Sequence, residues 1–202
     1  MFRAVPVTLS LIALSVLGFL LVYLGAPVTW LAALTFSPFN ISGDQIQFFY
    51  NAGQYWRFIT PIFLHFGWLH IAFNSLWVWE LGGLVEQRQG SIPLLGLVLL
   101  TASGSNLAQF LWSGPSLFGG LSGVVYALLG YCWVYNGLRP SSGLLVPKPI
   151  VMFMIGWLVF CMIGPTELLG IGSVANAAHL GGLVLGCICA VLSHLLGKVL
   201  RS

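Results

Sequence analysis

Apolar residues dominate six stretches of this chain, approximately Val5–Ala26, Pro61–Leu81, Ser91–Trp112, Ser122–Leu138, Ile150–Gly164 and Ala175–Leu196. A helix needs roughly 17–25 mostly apolar residues to cross the hydrocarbon core of a bilayer. The pattern therefore predicts an all-α polytopic membrane protein with six spanning helices, organised as a single domain over residues 1–202. The first stretch follows Arg3 and ends in the small residues Gly25 and Ala26, features shared with signal peptides. Its apolar run exceeds the ~7–15 residues of a signal's hydrophobic region, so it reads as a retained span.

The connections differ in kind. Pro27 to Trp56 is long and aromatic, with Trp30, Phe36, Phe39, Phe48, Phe49 and Tyr55 along it. Pro38, Gly43 and Asp44 break it too often for a span, yet it is too apolar for a solvated loop. The expectation is a segment in the headgroup layer, where amphipathic rings are favoured. The other links are short, and no internal repeat of the transporter kind is evident.

Lys and Arg positions orient the spans. With six crossings, the termini and the second and fourth links share one side, which holds Arg3, Arg88, Arg139, Lys148, Lys198 and Arg201. The other side has Arg57 alone, with Asp44 and Glu167. By the positive-inside rule both termini face the cytoplasm. The second, fourth and sixth spans then enter from the outer face. At 1.5 Å per residue, His65, His70, Asn74, Ser122 and His179 all fall in the outer half of the bilayer.

Polar groups at that depth are costly and usually line a protein-enclosed or watery site. His70 and Asn74 share a helix face, as do Ser122 and Tyr126, each pair being four residues apart. Ala178, Gly182, Gly186 and Ala190 form a stripe of small residues matched by Gly123 and Ala127. Such stripes let membrane helices approach closely, as a serine–histidine contact would require, although generic packing explains the stripe equally well. A candidate nucleophile, base and oxyanion donors together suggest hydrolysis inside the bilayer. Asp44 and Glu167 lie in loops, and Glu80 and Glu86 fall towards the far end of the second span. A Ser–His dyad therefore fits better than a carboxylate-bearing triad.

Composition narrows the classes. Only 5% of the 202 residues are charged and 58% are hydrophobic, against about 25% charged in soluble domains. The net charge of +3 comes from scattered Lys and Arg, which gives no case for nucleic acid. Cys132, Cys161, Cys187 and Cys189 all lie in apolar stretches without a C-x-x-C pair, so neither a zinc ribbon nor a disulfide framework is indicated.

The set Trp56-Arg57, His65…His70…Asn74, Glu86-Gln87-Arg88-Gln89-Gly90, Gly120-Leu121-Ser122-Gly123 and Ala178-His179-Leu180-Gly181-Gly182 resembles the rhomboid intramembrane serine proteases. The likeness covers about Trp56 to Gly186, and the size resembles the minimal six-span bacterial form, which lacks an extra cytoplasmic domain. It implies a rhomboid-like helical bundle with Ser122 as nucleophile and His179 as general base, then acid. His70, Asn74 and the Ser122 backbone N–H become oxyanion donors. Tyr126 would pack on the His179 ring, and Gly120 would shape the nucleophile's turn. Arg57 would hold the first loop through its carbonyls, while Glu86 and Arg88 brace the cytoplasmic end of the second span. No cofactor or metal is implied.

The resemblance further implies single-span membrane proteins as substrates, cut near the outer face after a small residue, within the lipid bilayer of a bacterial inner membrane. A homodimer is left open. The fifth span is a candidate lateral gate, and Gly164, Pro165, Gly170 and Gly172 mark the last outer loop as a candidate cap. His65 is read as a structural hydrogen-bonding residue and His194 as interfacial. The alternatives are a catalytically inactive rhomboid-like binding module and, further off, a transporter or channel. A zinc protease would want H-E-x-x-H, and no span carries the aspartate pair of an aspartyl protease.

Overall fold

In a computed structural model, residues 4–49, 53–164 and 174–199 are described. The chain is all-α in class, 75% helical with one small hairpin. Helix α1 (Pro6–Tyr23) starts with proline in its first turn, where the fixed φ suits a helix and the missing N–H costs nothing. The long aromatic link then folds into a short α2 (Val28–Leu34) and an antiparallel hairpin, β1 (Phe39–Ser42) with β2 (Gln45–Phe48). Phe39 pairs with Phe48 and Ile41 with Ile46, and Gly43 supplies the positive φ of the turn. Two 3₁₀ turns follow, Tyr55–Phe58 and Thr60–Phe63.

The second apolar stretch departs from its expected bounds. Its helix α3 begins at Trp68, seven residues later than Pro61, after an extended Gly67. Residues 61–66 are as apolar as a span, but Ile62 and Leu64 are used as buried packing for the loop that precedes α6. Hydrophobicity alone does not separate these two uses. The helical path also runs on past Leu81, through a π turn (Val78–Gly82) into α4 (Gly83–Gln89). The other helices are α5 (Ser91–Ser113), α6 (Ser122–Leu138), α7 (Lys148–Ile163) and α8 (Asn176–Val199).

Three described helices, α1, α5 and α8, are long and apolar enough to cross a membrane by length and composition. At 17 residues α6 is slightly shorter, and α7 has 16. Pro165, Gly170 and Gly172 of the expected outer cap, and Glu167, lie outside the described residues.

Helix α6 is the centre of the bundle. Val124, Ala127, Leu128, Leu129 and Cys132 are inaccessible on every side of it, as expected of a helix apolar all round. Its broadest partner is α8, with α5 next against that helix. The α6–α8 seam is backbone against backbone: a Cβ on Gly182 would strike the Gly123 carbonyl, and one on Gly186 the Ala127 carbonyl. The small-residue stripe is therefore a close-approach surface and does more than fill space. By contrast α7 is loosely held, with Met152, Phe153 and Ile163 exposed on it.

At the opposite end from Ser122, Glu86 ties three helices together. Its carboxylate accepts the N–H groups of Val7 and Thr8 at 2.9 and 2.8 Å and the Thr8 hydroxyl at 2.7 Å. Ser91 at the start of α5 donates to it at 2.7 Å. A carboxylate at a helix N-terminus satisfies amides that have no partner within the helix and complements its dipole.

Candidate active site

The first turn of α6 carries Ser122, two residues after Gly120, whose φ of +110° favours glycine. The turn is pinned from below: Gly120 N–H donates to Pro61 O at 3.0 Å, and the Leu121 N–H points to His65 Nε2 at 3.4 Å. His65 Nδ1 stands 3.2 Å from Phe63 O. A carbonyl can only accept, so Nδ1 carries the proton and Nε2 is free to accept from Leu121. His65 is fully buried and holds the chain one residue ahead of Ser122.

His179 occupies the first turn of α8, 5% exposed. Its Nε2 lies 2.7 Å from Ser122 Oγ, a contact allowed by the Gly123–Gly182 crossing one turn away. The His179 Nδ1 is buried without a hydrogen-bond partner among the described residues. The Tyr126 ring packs on the imidazole instead, with centroids 4.9 Å apart and planes at 36°. Tyr126 is itself anchored by its hydroxyl, which donates to Met154 O on α7 at 2.9 Å.

His70 and Asn74, one turn apart on α3, both face the Gly120 turn. A Cβ on Gly120 would stand 2.5 Å from His70 Nε2 and 3.5 Å from Asn74 Nδ2. Asn74 is 4% exposed. The His65 and His70 rings are 4.9 Å apart. The Ser122 amide is the first of its helix and so has no intrahelical acceptor. His70 and Asn74 of α3 thus approach the same turn that carries the free Ser122 amide of α6.

The flanking motifs lie further out. Arg57 donates through Nη1 to Ala32 O and Thr35 O at 2.6 and 2.7 Å, and through Nε to Gln54 Oε1 at 2.5 Å. Trp56 Nε1 adds a bond to Ala33 O at 3.0 Å and Thr60 one to Leu34 O at 2.8 Å. These donors meet the C-terminal carbonyls of α2, which have no acceptor role inside the helix. Burial pulls the Arg57 guanidinium below its ordinary pKa, leaving it a cation whose charge faces those carbonyls. Arg88 lies over Gly143 in the α6–α7 link, and the His194 ring meets Tyr135 edge-on near the end of α8.

Three polar residues with no role assigned from the sequence also set this geometry. Gln109 on α5 accepts the Ala178 N–H at 3.1 Å, capping α8 immediately before His179. Asn176 donates to Cys161 O at 2.9 Å, joining α7 to the start of α8. Asn106 donates to Phe58 O at 2.9 Å. Each is a carboxamide within or beside an apolar stretch, and that anomaly was a legible signal.

A bundle of apolar helices holding a half-buried serine–histidine hydrogen bond defines the class: an integral membrane protein with a polar site assembled between helices. The sequence profile described as the Rhomboid domain matches residues 52–195. The chain is 43% identical over 188 residues to Rhomboid protease GlpG of Serratia proteamaculans (strain 568), and those residues are 93% of this chain and 63% of that protein. Rhomboid protease GlpG of Yersinia pestis (strain Pestoides F) is 40% identical over 191 residues, with the same two shares. This protein belongs to the rhomboid family. It spans 63% of the length of the curated relatives it matches.

Proposed function

We propose that this chain is an intramembrane serine endopeptidase that cuts membrane-spanning segments near the outer membrane face through a Ser122–His179 dyad. The observation that carries the reading is the 2.7 Å hydrogen bond between Ser122 Oγ and His179 Nε2 inside an apolar bundle. The relatives' name, Rhomboid protease GlpG, supports the same activity.

A serine hydroxyl is a weak nucleophile until a base takes its proton. His179 Nε2 takes it as Oγ attacks the scissile carbonyl, then returns it to the leaving amine. Tyr126 keeps the imidazole aligned by packing against it, a task that a carboxylate on Nδ1 performs in a triad. The tetrahedral oxygen is received by His70, Asn74 and the Ser122 amide, preorganised before any substrate arrives. Gly120 lets these donors close in.

Hydrolysis consumes water, so the site opens to the outer aqueous phase and not to lipid. The scissile segment must also leave its helical form, since a helix keeps its amides bonded and shielded. Single-span proteins with small or helix-breaking residues near that interface are the fitting substrates. Basic residues at the other end of the bundle, Arg88, Arg139, Lys148 and Lys198 among them, orient six spans with both termini in the cytoplasm, in a bacterial inner membrane.

The test is cleavage of a single-span substrate by purified protein in liposomes. Ser122→Ala and His179→Ala each lower the rate by about 10⁴–10⁶ while melting stays unchanged. A fluorophosphonate labels Ser122 and requires His179. Undiminished cutting by either variant overturns the dyad.

A further inference from the structure

One surface of the molecule is unconnected with the Ser122 site. Between the last turn of α6 and the first two turns of α7 lies a cleft of about 440 Å³. That volume is in the range of about 300–1,000 Å³ typical of small-ligand clefts. Trp133, Leu145 and Met152 form its apolar walls, and Asn136, Gly137 and Lys148 are its polar and open positions. The α6–α7 link closes one end. A chain entering from the membrane would therefore be held between two helices and the link, where a flat helix face offers only one side.

The walls are strongly apolar yet uncovered: Trp133 is 52% exposed, Leu145 68% and Met152 72%. Lys148 stands at the same cleft with no ion pair among the described residues. The link from Arg139 to Lys148 contains no Asp or Glu. Lys148 is thus the one cation among the residues that line the cleft, while Arg88 lies against Gly143 elsewhere in the link. Apolar walls ending at an unpaired lysine complement one chemistry, an acyl chain bearing an anionic headgroup. Trp133 adds an amphipathic ring of the kind that favours the headgroup level.

We infer that the α6–α7 cleft is a binding site for one anionic phospholipid, with an acyl chain along Trp133, Leu145 and Met152 and the phosphate at Lys148. Each basic residue at the cytoplasmic membrane surface attracts anionic headgroups by about 1 kcal/mol. The loose seat of α7 leaves the cleft open, and a bound chain supplies the contacts missing between α6 and α7.

The experiment is native mass spectrometry of the full chain, purified in a non-ionic detergent with equal palmitoyl-oleoyl phosphatidylglycerol and phosphatidylcholine. The wild-type protein retains one phosphatidylglycerol in at least about fivefold preference. Lys148→Glu, which adds an acid where a helix N-terminus tolerates it, and Lys148→Gln both bring the preference to parity. Gly137→Phe abolishes retention of the single lipid at unchanged melting temperature, because a Cβ there meets nothing within 4 Å and the ring fills the cleft. Equal retention of both lipids by the wild type overturns the site, as does unchanged preference in both Lys148 variants. Lys148-dependent binding of free glycerol 3-phosphate would also overturn it, by assigning the cleft to a soluble phosphate.

Discussion

At the scale of single residues, the site depends on what is absent as much as on what is present. Gly120 can be neither larger nor differently turned: its φ is +110° and a Cβ would collide with the His70 ring. Gly120→Ala is therefore expected to displace His70 and reduce cleavage by at least as much as loss of one oxyanion donor, about 10²–10³ in kcat. Single-turnover kinetics on a single-span substrate measures it. Asn74→Ala is expected to cost the same factor or less, since two other donors remain, and a normal rate would remove Asn74 from the oxyanion role. His65 belongs at this scale too. With Nδ1 donating to Phe63 O and Nε2 accepting from Leu121, it is neutral and fully committed, which suits a brace for the nucleophile's turn.

Among the elements, the α6–α8 seam positions the dyad. Its two helices approach so closely that a Cβ on Gly186 would strike the Ala127 carbonyl, so Gly186→Val is expected to force them apart. The expected result is a lower melting temperature, by an amount matching the ~1–3 kcal/mol of an overpacked core, together with lost fluorophosphonate labelling at Ser122. Labelling at the wild-type rate would show that the seam tolerates separation. The second element-scale device is Glu86, beyond the apolar end of the second stretch. Burial raises its carboxyl pKa, but hydrogen bonds from Ser91, the Thr8 hydroxyl and the Thr8 and Val7 amides outweigh that and hold it below the ordinary 4.5. A lowered folded pKa means the contribution is complete above the ordinary value and lost as pH falls through the folded one. Wild-type melting is thus expected to drop in strong acid, and Glu86→Gln to melt lower near neutrality with a shallower acid dependence. Parallel curves for the two proteins would remove Glu86 from that dependence.

For the whole molecule, the proposed orientation places Ser122 near the outer surface and the Glu86 junction near the cytoplasm. A single cysteine placed in the Gly43–Asp44 turn of a cysteine-free variant is expected to react with a membrane-impermeant maleimide on intact cells. One at Gly197, where a Cβ meets nothing within 4 Å, is expected to react only after permeabilisation. The reverse pattern would invert the bundle and put the serine on the cytoplasmic side. Helix α7, hydrogen-bonded to its neighbours through Tyr126–Met154 and Asn176–Cys161, is the same element that borders the proposed lipid cleft.

The amino-acid order by itself determined the helical membrane class, because a 5% charged chain with long apolar runs has no soluble core to build. It also singled out Ser122, His179, His70 and Asn74, since polar groups are conspicuous against that background, whereas Arg57 was picked out by the family resemblance. It could not tell the apolar segment 61–66, which packs beneath the Gly120 turn, from the helix that starts at Trp68, because burial in protein and burial in lipid select the same side chains. Nor could it reveal that Gln109 caps α8 or that Glu86 gathers α1, α4 and α5. Those pairings are 69 and 78–79 residues apart in the chain and arise only when close-packed helices bring distant polar groups within reach of one another.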